Sequence, residues 1–444
     1  MAPWKTRCSF TVRVMTAAGD PPRIDPIADG QARTPRTGSG AVRLPKWLGL
    51  MAAASPLISA GVAGAREVMA ADAARRRGVT TRDGVPVPEP SMGLGVAAAV
   101  DALIAGPIPL LSSIGSPEHY AAASAELDAA VRYYRDAGWL ESPELRHRRP
   151  DAPGDVRIEP LSPGMELARF DSGWRPEAGE PGGERWATFD ANEEVRVRLL
   201  RHPGAPRPWL IAIHGQGMGR PSDVKMLGVR HLHEQLGINV ALPVLPLHGP
   251  RSCGSRMSPD RQFASNLFAT NNVLGLTQSV WDIRRLLQWL REDQQAPAVG
   301  LLGLSLGSYV TSLLSTLEGD LSCVVAVVPT SDLAESMREA VPLVPAKRSL
   351  HRRVHDSRSA TVHRVVSPLA RPCLVPHQRR HIVAGLVDRI APPRGAAQLW
   401  QHWDEPSIAW CPRGHVTAWH GSAYDDHIAS VLTSCGLRHP SGNS

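Results

Sequence analysis

The stretch Gly303-Leu304-Ser305-Leu306-Gly307 constrains this chain more than any other. An apolar run, Val299-Gly300-Leu301-Leu302, leads into it, and Tyr309, Val310, Leu313, Leu314 and Leu317 follow at helical spacing. The reading is strand, sharp turn, helix, with a serine at the apex. Only a strained turn lifts a serine side chain clear of its own backbone, and glycines two before and two after let strand and helix pass closely. The turn also sets the next amide, that of Leu306, at a helix N-terminus, where N–H groups favour developing negative charge. A Gly-x-Ser-x-Gly spacing is common in an Ala- and Gly-rich chain, so the flanking segments have to decide.

Three of them agree, in chain order. Upstream, Pro208-Trp-Leu-Ile-Ala-Ile213 reads as a buried strand ending in His214-Gly215-Gln216-Gly217-Met218-Gly219. Glycines there let a loop fold back and aim a backbone N–H, that of Gln216, at a reacting carbon. Downstream, His381-Ile-Val-Ala-Gly-Leu-Val387 is an apolar strand ending at Asp388, with Pro392 and Pro393 behind it. A carboxylate so placed can hold an imidazole in one tautomer. Asp332, in Pro329-Thr-Ser-Asp-Leu, is the rival acid, and capping the following helix is its expected task. Finally, the strand Ser407-Ile-Ala-Trp410 precedes Cys411-Pro-Arg-Gly-His415.

Residues from roughly 190 to 436 therefore resemble the catalytic domain of the α/β-hydrolase superfamily, whose elbow, His-Gly loop, acid strand and Gly-His occur in this order. Pro246-Leu-His-Gly-Pro-Arg251, after the strand Ile238 to Leu245, sits where many members carry a Pro-Gly-His-Gly-like turn. No substrate follows from it. The resemblance implies Ser305 as nucleophile, His415 as general base and acid, Asp388 as the group orienting His415, and the amides of Gln216 and Leu306 as oxyanion donors. It implies no metal and no organic cofactor.

The chain has 444 residues, too many for one ordinary core. Of its six cysteines, Cys8, Cys253, Cys323, Cys373, Cys411 and Cys435, none forms a Cys-x-x-Cys pair, so neither a zinc site nor a disulfide framework is expected. Cys323, Cys373 and Cys411 lie in or beside expected central strands, and a reducing cytoplasm is the simplest setting. Residues 1–45 read as a disordered tail. Residues 46–150 read as a helical N-terminal region, with a helix over 121–138, helix and loop over 92–114, and a linker from Arg146 to Pro160. Residues 47–65 carry no charge over 19 positions, close to the ~20 that span a bilayer. They are mostly Ala, Gly and Ser with Pro56 inside, so a packed helix stands against a membrane-associated segment or signal.

Residues 151–444 form the expected catalytic domain. Strands near 194–200, 208–213, 238–245, 298–303, 321–328, 381–387 and 406–411 alternate with helices near 224–236, 275–292, 306–317, 394–403 and 415–434. That alternation predicts an α/β fold of the α/β-hydrolase type, a mostly parallel sheet covered by helices on both faces. A cap insertion over 331–380, after the sixth strand, and the helical N-terminal region complete it. Lys347 to His381 holds nine Lys or Arg against Asp356 alone, a local balance of +8, and five histidines that add charge at lower pH. Arg352, Arg353 and Arg358 are its candidate contacts to an anionic substrate or membrane surface; the bland alternative is a solvated face.

The function expected is a serine hydrolase cleaving a carboxylic ester or thioester of small-molecule or lipid-like type through an acyl-enzyme. An acyltransferase or peptidase would use the same residues. A non-catalytic scaffold of this fold predicts a broken triad or blocked elbow, and neither occurs in the sequence. Nucleic-acid binding finds no motif despite the net charge of +7.

Overall fold

The computed structural model describes residues 46–106, 115–252, 267–342 and 344–439. The tail expected over 1–45, Cys8, Cys253 and residues 107–114 of the segment read as helix and loop over 92–114 lie outside the described residues. The chain divides into Met1–Leu50 and a second compact unit, Met51–Ser444.

Within that second unit a small hairpin pairs β1 (Thr81–Arg82) with β2 (Val85–Pro86). Nine further strands form one sheet. They are β3 (Arg157–Ser162), β4 (Met165–Asp171), β5 (Glu194–Leu200), β6 (Trp209–Ile213), β7 (Asn239–Pro243), β8 (Val299–Leu304), β9 (Cys323–Val327), β10 (Arg380–Gly385) and β11 (Ser407–Cys411). Their order is β11-β10-β9-β8-β6-β7-β5-β4-β3. The six strands from β11 to β7 run parallel, while β5, β4 and β3 add on antiparallel.

The parallel strands are mostly apolar because both faces are covered, with Asn239, Arg380, His381 and Ser407 at strand starts the polar exceptions. Along β6, Trp209, Ile211 and Ile213 enter one core cluster while Leu210 and Ala212 enter the other, as the period of two requires. The first face packs under the long helix Ala269–Glu292, through Val273, Leu276, Val280, Ile283 and Leu287, and under Leu306–Leu314 and Pro393–His402. The second packs under Val229–Leu236 and Ser422–Ser434. Each fully buried Val, Leu or Ile contributes about 1.5–3 kcal/mol, so these two layers hold the strand ends that carry the site.

Several boundaries differ from those read in the sequence, among them the helix expected over 275–292, which begins at Ala269. The helix expected over 224–236 breaks at Gly228, which takes φ 64°, into Asp223–Met226 and Val229–Leu236. The last helix begins at Ser422, leaving His415 on a loop. Part of the expected linker is the edge hairpin β3–β4. All six β3 residues are exposed and one is Pro160, so no apolar alternation marks it.

Within the second unit, the described residues of 51–136 are largely helical and packed on the sheet domain. Lys46–Arg76 and Met92–Ala105 are followed by Pro117–Asp136, which opens on a capping box between Ser116 and His119. Its stripe Leu127, Ala130 and Tyr134 joins the first core cluster. Just beyond it, the buried Arg146 guanidinium pairs with Glu180 at 2.6 Å and lies over the Trp139 ring. Among the described residues no helix is long and apolar enough to cross a membrane.

The segment between β9 and β10 holds the helices Leu333–Glu339, Pro345–Val354 and Ser357–His363. Its later part is core, since Val362, Val365, Val366 and Val375 are fully buried. Val354 packs with Tyr120, Ala123 and Phe268. Three of the five histidines, His351, His355 and His363, do not add charge on mild acidification as the sequence suggested. Burial lowers His351 and His363 below the usual imidazole range and brings His355 to about 3.

Candidate active site

The elbow forms because two glycines remove the atoms that would prevent it. A Cβ on Gly303 would run into the Gly307 carbonyl, and one on Gly307 into the carbonyls of Ile213 and His214. Strand β8, the elbow and the end of β6 can therefore touch. Ser305 takes φ 54° and ψ −113°, a conformation that costs a non-glycine residue on the order of 1–3 kcal/mol. Its amide donates to Val327 at 2.9 Å, and neighbouring Val328 also sits at positive φ, 43°. Backbone strain is thus concentrated where β8 and β9 end.

The long-range pairing the sequence anticipated is present as contacts. His415 Nε2 lies 3.1 Å from Ser305 Oγ, and His415 Nδ1 lies 2.7 Å from Asp388 Oδ2. Asp388 is 5 % exposed and His415 8 %, while Ser305 is half-buried. The second Asp388 oxygen accepts N–H bonds from Ile390 at 2.9 Å and Ala391 at 2.7 Å. A carboxylate fixed on both oxygens makes Nδ1 the donor and leaves Nε2 as the acceptor facing the serine hydroxyl. Asp332 does something else: it caps Leu333–Glu339, accepting the Glu335 N–H at 2.8 Å.

The His-Gly loop lies against the elbow. A Cβ on Gly215 would come within 3.4 Å of the Ser305 Cβ. His214 is a strut: its Nε2 accepts the Leu245 N–H at 3.1 Å, so the proton sits on Nδ1, which donates to the Gly215 carbonyl at 2.9 Å. Burial brings its pKa to about 3, keeping it neutral in that tautomer. The following Gln216 is exposed. Leu306 is the first residue of its helix, so its amide has no intrahelical acceptor. The Pro246–Arg251 turn is structural as well. Arg251 is 1 % exposed, pairs with Asp282 at 2.8 Å and donates to the carbonyls of Val244 and Asn192.

Of the basic residues singled out, Arg358 is committed to Asp128 at 2.7 Å and Asp356 at 2.9 Å. Arg352 and Arg353 are exposed on their helix. Among the described residues no group of three or more His, Cys, Asp or Glu side chains is arranged to hold a metal ion. The four described cysteines, Cys323, Cys373, Cys411 and Cys435, are unpaired thiols. One residue at the site was not anticipated from sequence. Asp101, from the helix Met92–Ala105, is fully buried beneath the His415 loop and bonded to its backbone. The only sequence signal was a single charge inside an apolar stretch.

A mostly parallel sheet with a serine turn after β8, a His-Gly loop after β6, and Asp and His after β10 and β11 is the architecture of the α/β-hydrolase fold. An uncharacterized protein of Mycobacterium tuberculosis (strain CDC 1551 / Oshkosh) is 35% identical over 361 residues, covering 80% of this chain and 86% of its own length. The chain belongs to the family of that mycobacterial protein. No protein-family model matches it. Among solved structures, acetyl xylan esterase 1 from Thermoanaerobacterium sp. JW/SL YS485 is 14% identical with a TM-score of 0.48, covering 67% of this chain and 93% of its own. The acetyl xylan esterase from Paenibacillus sp. R4 is 12% identical with a TM-score of 0.46, covering 68% and 93%.

Proposed function

We propose that this protein is a serine hydrolase that cleaves a carboxylic ester or thioester through an acyl-enzyme. The observation that carries the reading is the continuous relay from Ser305 Oγ through His415 to Asp388, at 3.1 and 2.7 Å. Ser305 Oγ bonds to the substrate carbonyl carbon as His415 Nε2 takes its proton and the carbonyl electrons move onto oxygen. The amides of Leu306 and Gln216 donate to that oxygen, a contribution of about 3–4 kcal/mol per donor in comparable sites. When the intermediate collapses, His415 returns the proton to the departing alcohol or thiol. Water then attacks the acyl-enzyme by the same proton route and regenerates Ser305. Asp388 stays ionised and steadies the imidazolium between the two steps.

The test is turnover of a panel of short- and medium-chain nitrophenyl esters by wild type and by Ser305→Ala at equal folded concentration. The reading expects hydrolysis that the substitution abolishes. Ester turnover that survives Ser305→Ala undiminished overturns it. Replacing water by an alcohol acceptor and following transesterified product separates hydrolysis from acyl transfer on the same acyl-enzyme.

A further inference from the structure

Asp101 lies 314 residues from His415 in sequence, yet its carboxylate bonds directly to the His415 backbone. One oxygen, Oδ2, accepts the backbone N–H of His415 and that of Arg389, the latter at 3.1 Å. The other, Oδ1, accepts the N–H of Val416 at 3.3 Å. Arg389 immediately follows Asp388, so a single side chain grips the loop bearing the imidazole and the loop bearing its orienting acid. Burying a carboxylate without charged partners is costly unless several donors meet it, and here three backbone donors do.

The surroundings are shaped to admit this carboxylate. A Cβ on Gly414 would fall 2.5–2.7 Å from the Asp101 carboxylate, so the glycine before His415 makes room for it. Leu94, Ala97 and Ala98 of the same helix pack with Ala71 and with Val387, the residue before Asp388. The helix Lys46–Arg76 crosses it at the Gly64–Gly95 contact and adds an ion pair from Glu67 to Arg389 at 2.9 Å. The two helices thus present Asp101 to the acid and histidine loops from below.

We infer that Asp101 is a positioning residue for the relay, by which the N-terminal helices set the distance and angle between Asp388 and His415. The inference rests on the proposed roles of Ser305, His415 and Asp388. Asp101 touches no reacting atom. Its effect is on how often the imidazole points at Ser305 Oγ, and small misplacements of this kind can cost on the order of 10²-fold in rate.

The experiment uses the full chain as wild type, Asp101→Asn, Gly414→Ala and Ser305→Ala. Asparagine keeps the shape but turns an NH2 group toward backbone donors. The Gly414 variant presses on the same carboxylate from the other side. Active sites are counted by stoichiometric fluorophosphonate titration, and kcat is expressed per titrated site. The expected result is a fall of about 10- to 100-fold in kcat per site for both variants, with KM within about 2-fold of wild type. Fewer titratable sites or a lower melting temperature, with kcat per remaining site unchanged, would overturn the positioning role and leave Asp101 purely structural. Ester turnover undiminished in Ser305→Ala would instead defeat the hydrolase reading itself, whatever the Asp101 variant does.

Discussion

The loops that leave β9 and β10 each carry an aspartate, and the two acids do opposite things. Each follows a buried parallel strand and carries an aspartate ahead of a helix, with Pro329 before Asp332 and Pro392 and Pro393 after Asp388. After β9 the Asp332 carboxylate turns along its own chain and caps the helix three residues ahead. After β10 the Asp388 carboxylate is held by two local amides through one oxygen and reaches His415 with the other. Residue type and position at a strand end do not decide the role of an acid. What decides it is which partner the fold brings to the oxygen the local amides leave over: at Asp388 that partner is His415. The same distinction runs through the histidines: both nitrogens of His214 are spent on backbone, whereas His415 spends one on Asp388 and offers the other to Ser305.

The contrast breaks most visibly at the relay. Ser305→Ala or His415→Ala is expected to lower kcat by on the order of 10⁴–10⁶-fold for groups acting as a unit, measured on folded protein in an ester assay. Asp388→Asn is expected to cost about 10⁴-fold, because an amide facing Nδ1 selects the wrong tautomer. Its remaining oxygen still receives the Ile390 and Ala391 amides, so the melting temperature should barely move. Asp332→Asn should leave both properties intact, since asparagine caps as well as aspartate. Asp332→Ala should cost about 1 kcal/mol of stability and no kcat. If Asp332→Asn is inactive while Asp388→Asn works normally, the two loops have been assigned the wrong way round.

The structural imidazoles give a slower and more graded effect. His147, His214 and His355 each have a pKa brought down to about 3 by burial, whereas an unfolded imidazole titrates near 6.5. Their stabilisation is present above pH 6.5 and is lost as pH falls, because the unfolded chain then binds protons the native one refuses. Chemical denaturation between pH 7 and 5 should show stability dropping by about 1 kcal/mol per pH unit or more. His214→Gln should flatten that slope. A stability independent of pH over this range would contradict the assignment of these rings as neutral struts.

The smallest effect is expected at the basic insertion. We propose that exposed Arg352 and Arg353 favour anionic substrates; exposed charges of this kind contribute about 0.2–1 kcal/mol and are screened by salt. Replacing both by Gln should raise KM for an anionic ester a few-fold at low salt and leave kcat unchanged. An equal change for a neutral ester of the same size would reduce the segment to a solvated face. Arg358, tied to Asp128 and Asp356, belongs to the structure, and its replacement should touch stability first.

Much of the sheet and the order of the site were legible in the sequence because buried parallel strands are uninterrupted apolar runs and the elbow needs its glycines. Strands β5 to β11 fall within two residues of the expected spans at most boundaries. The edge strand β3 was not legible, since an exposed strand with a proline carries no alternation. Nor did the sequence announce that His415 stands seven residues ahead of its helix, because loop and helix there differ only in the turn before Gly421. Asp101 was unreadable for a different reason. Its partners are backbone amides more than 280 residues away, which leave no trace in side-chain type.

The central claim is that Ser305 is an activated nucleophile, and intact-mass spectrometry after exposure to a fluorophosphonate tests it most directly. The account predicts one adduct per folded chain, mapped by peptide digestion to the segment containing Ser305. It also predicts that the adduct is absent in Ser305→Ala and forms far more slowly in His415→Ala. Folded protein that stays unlabelled, or an adduct that persists on another residue when Ser305 is replaced, would contradict it.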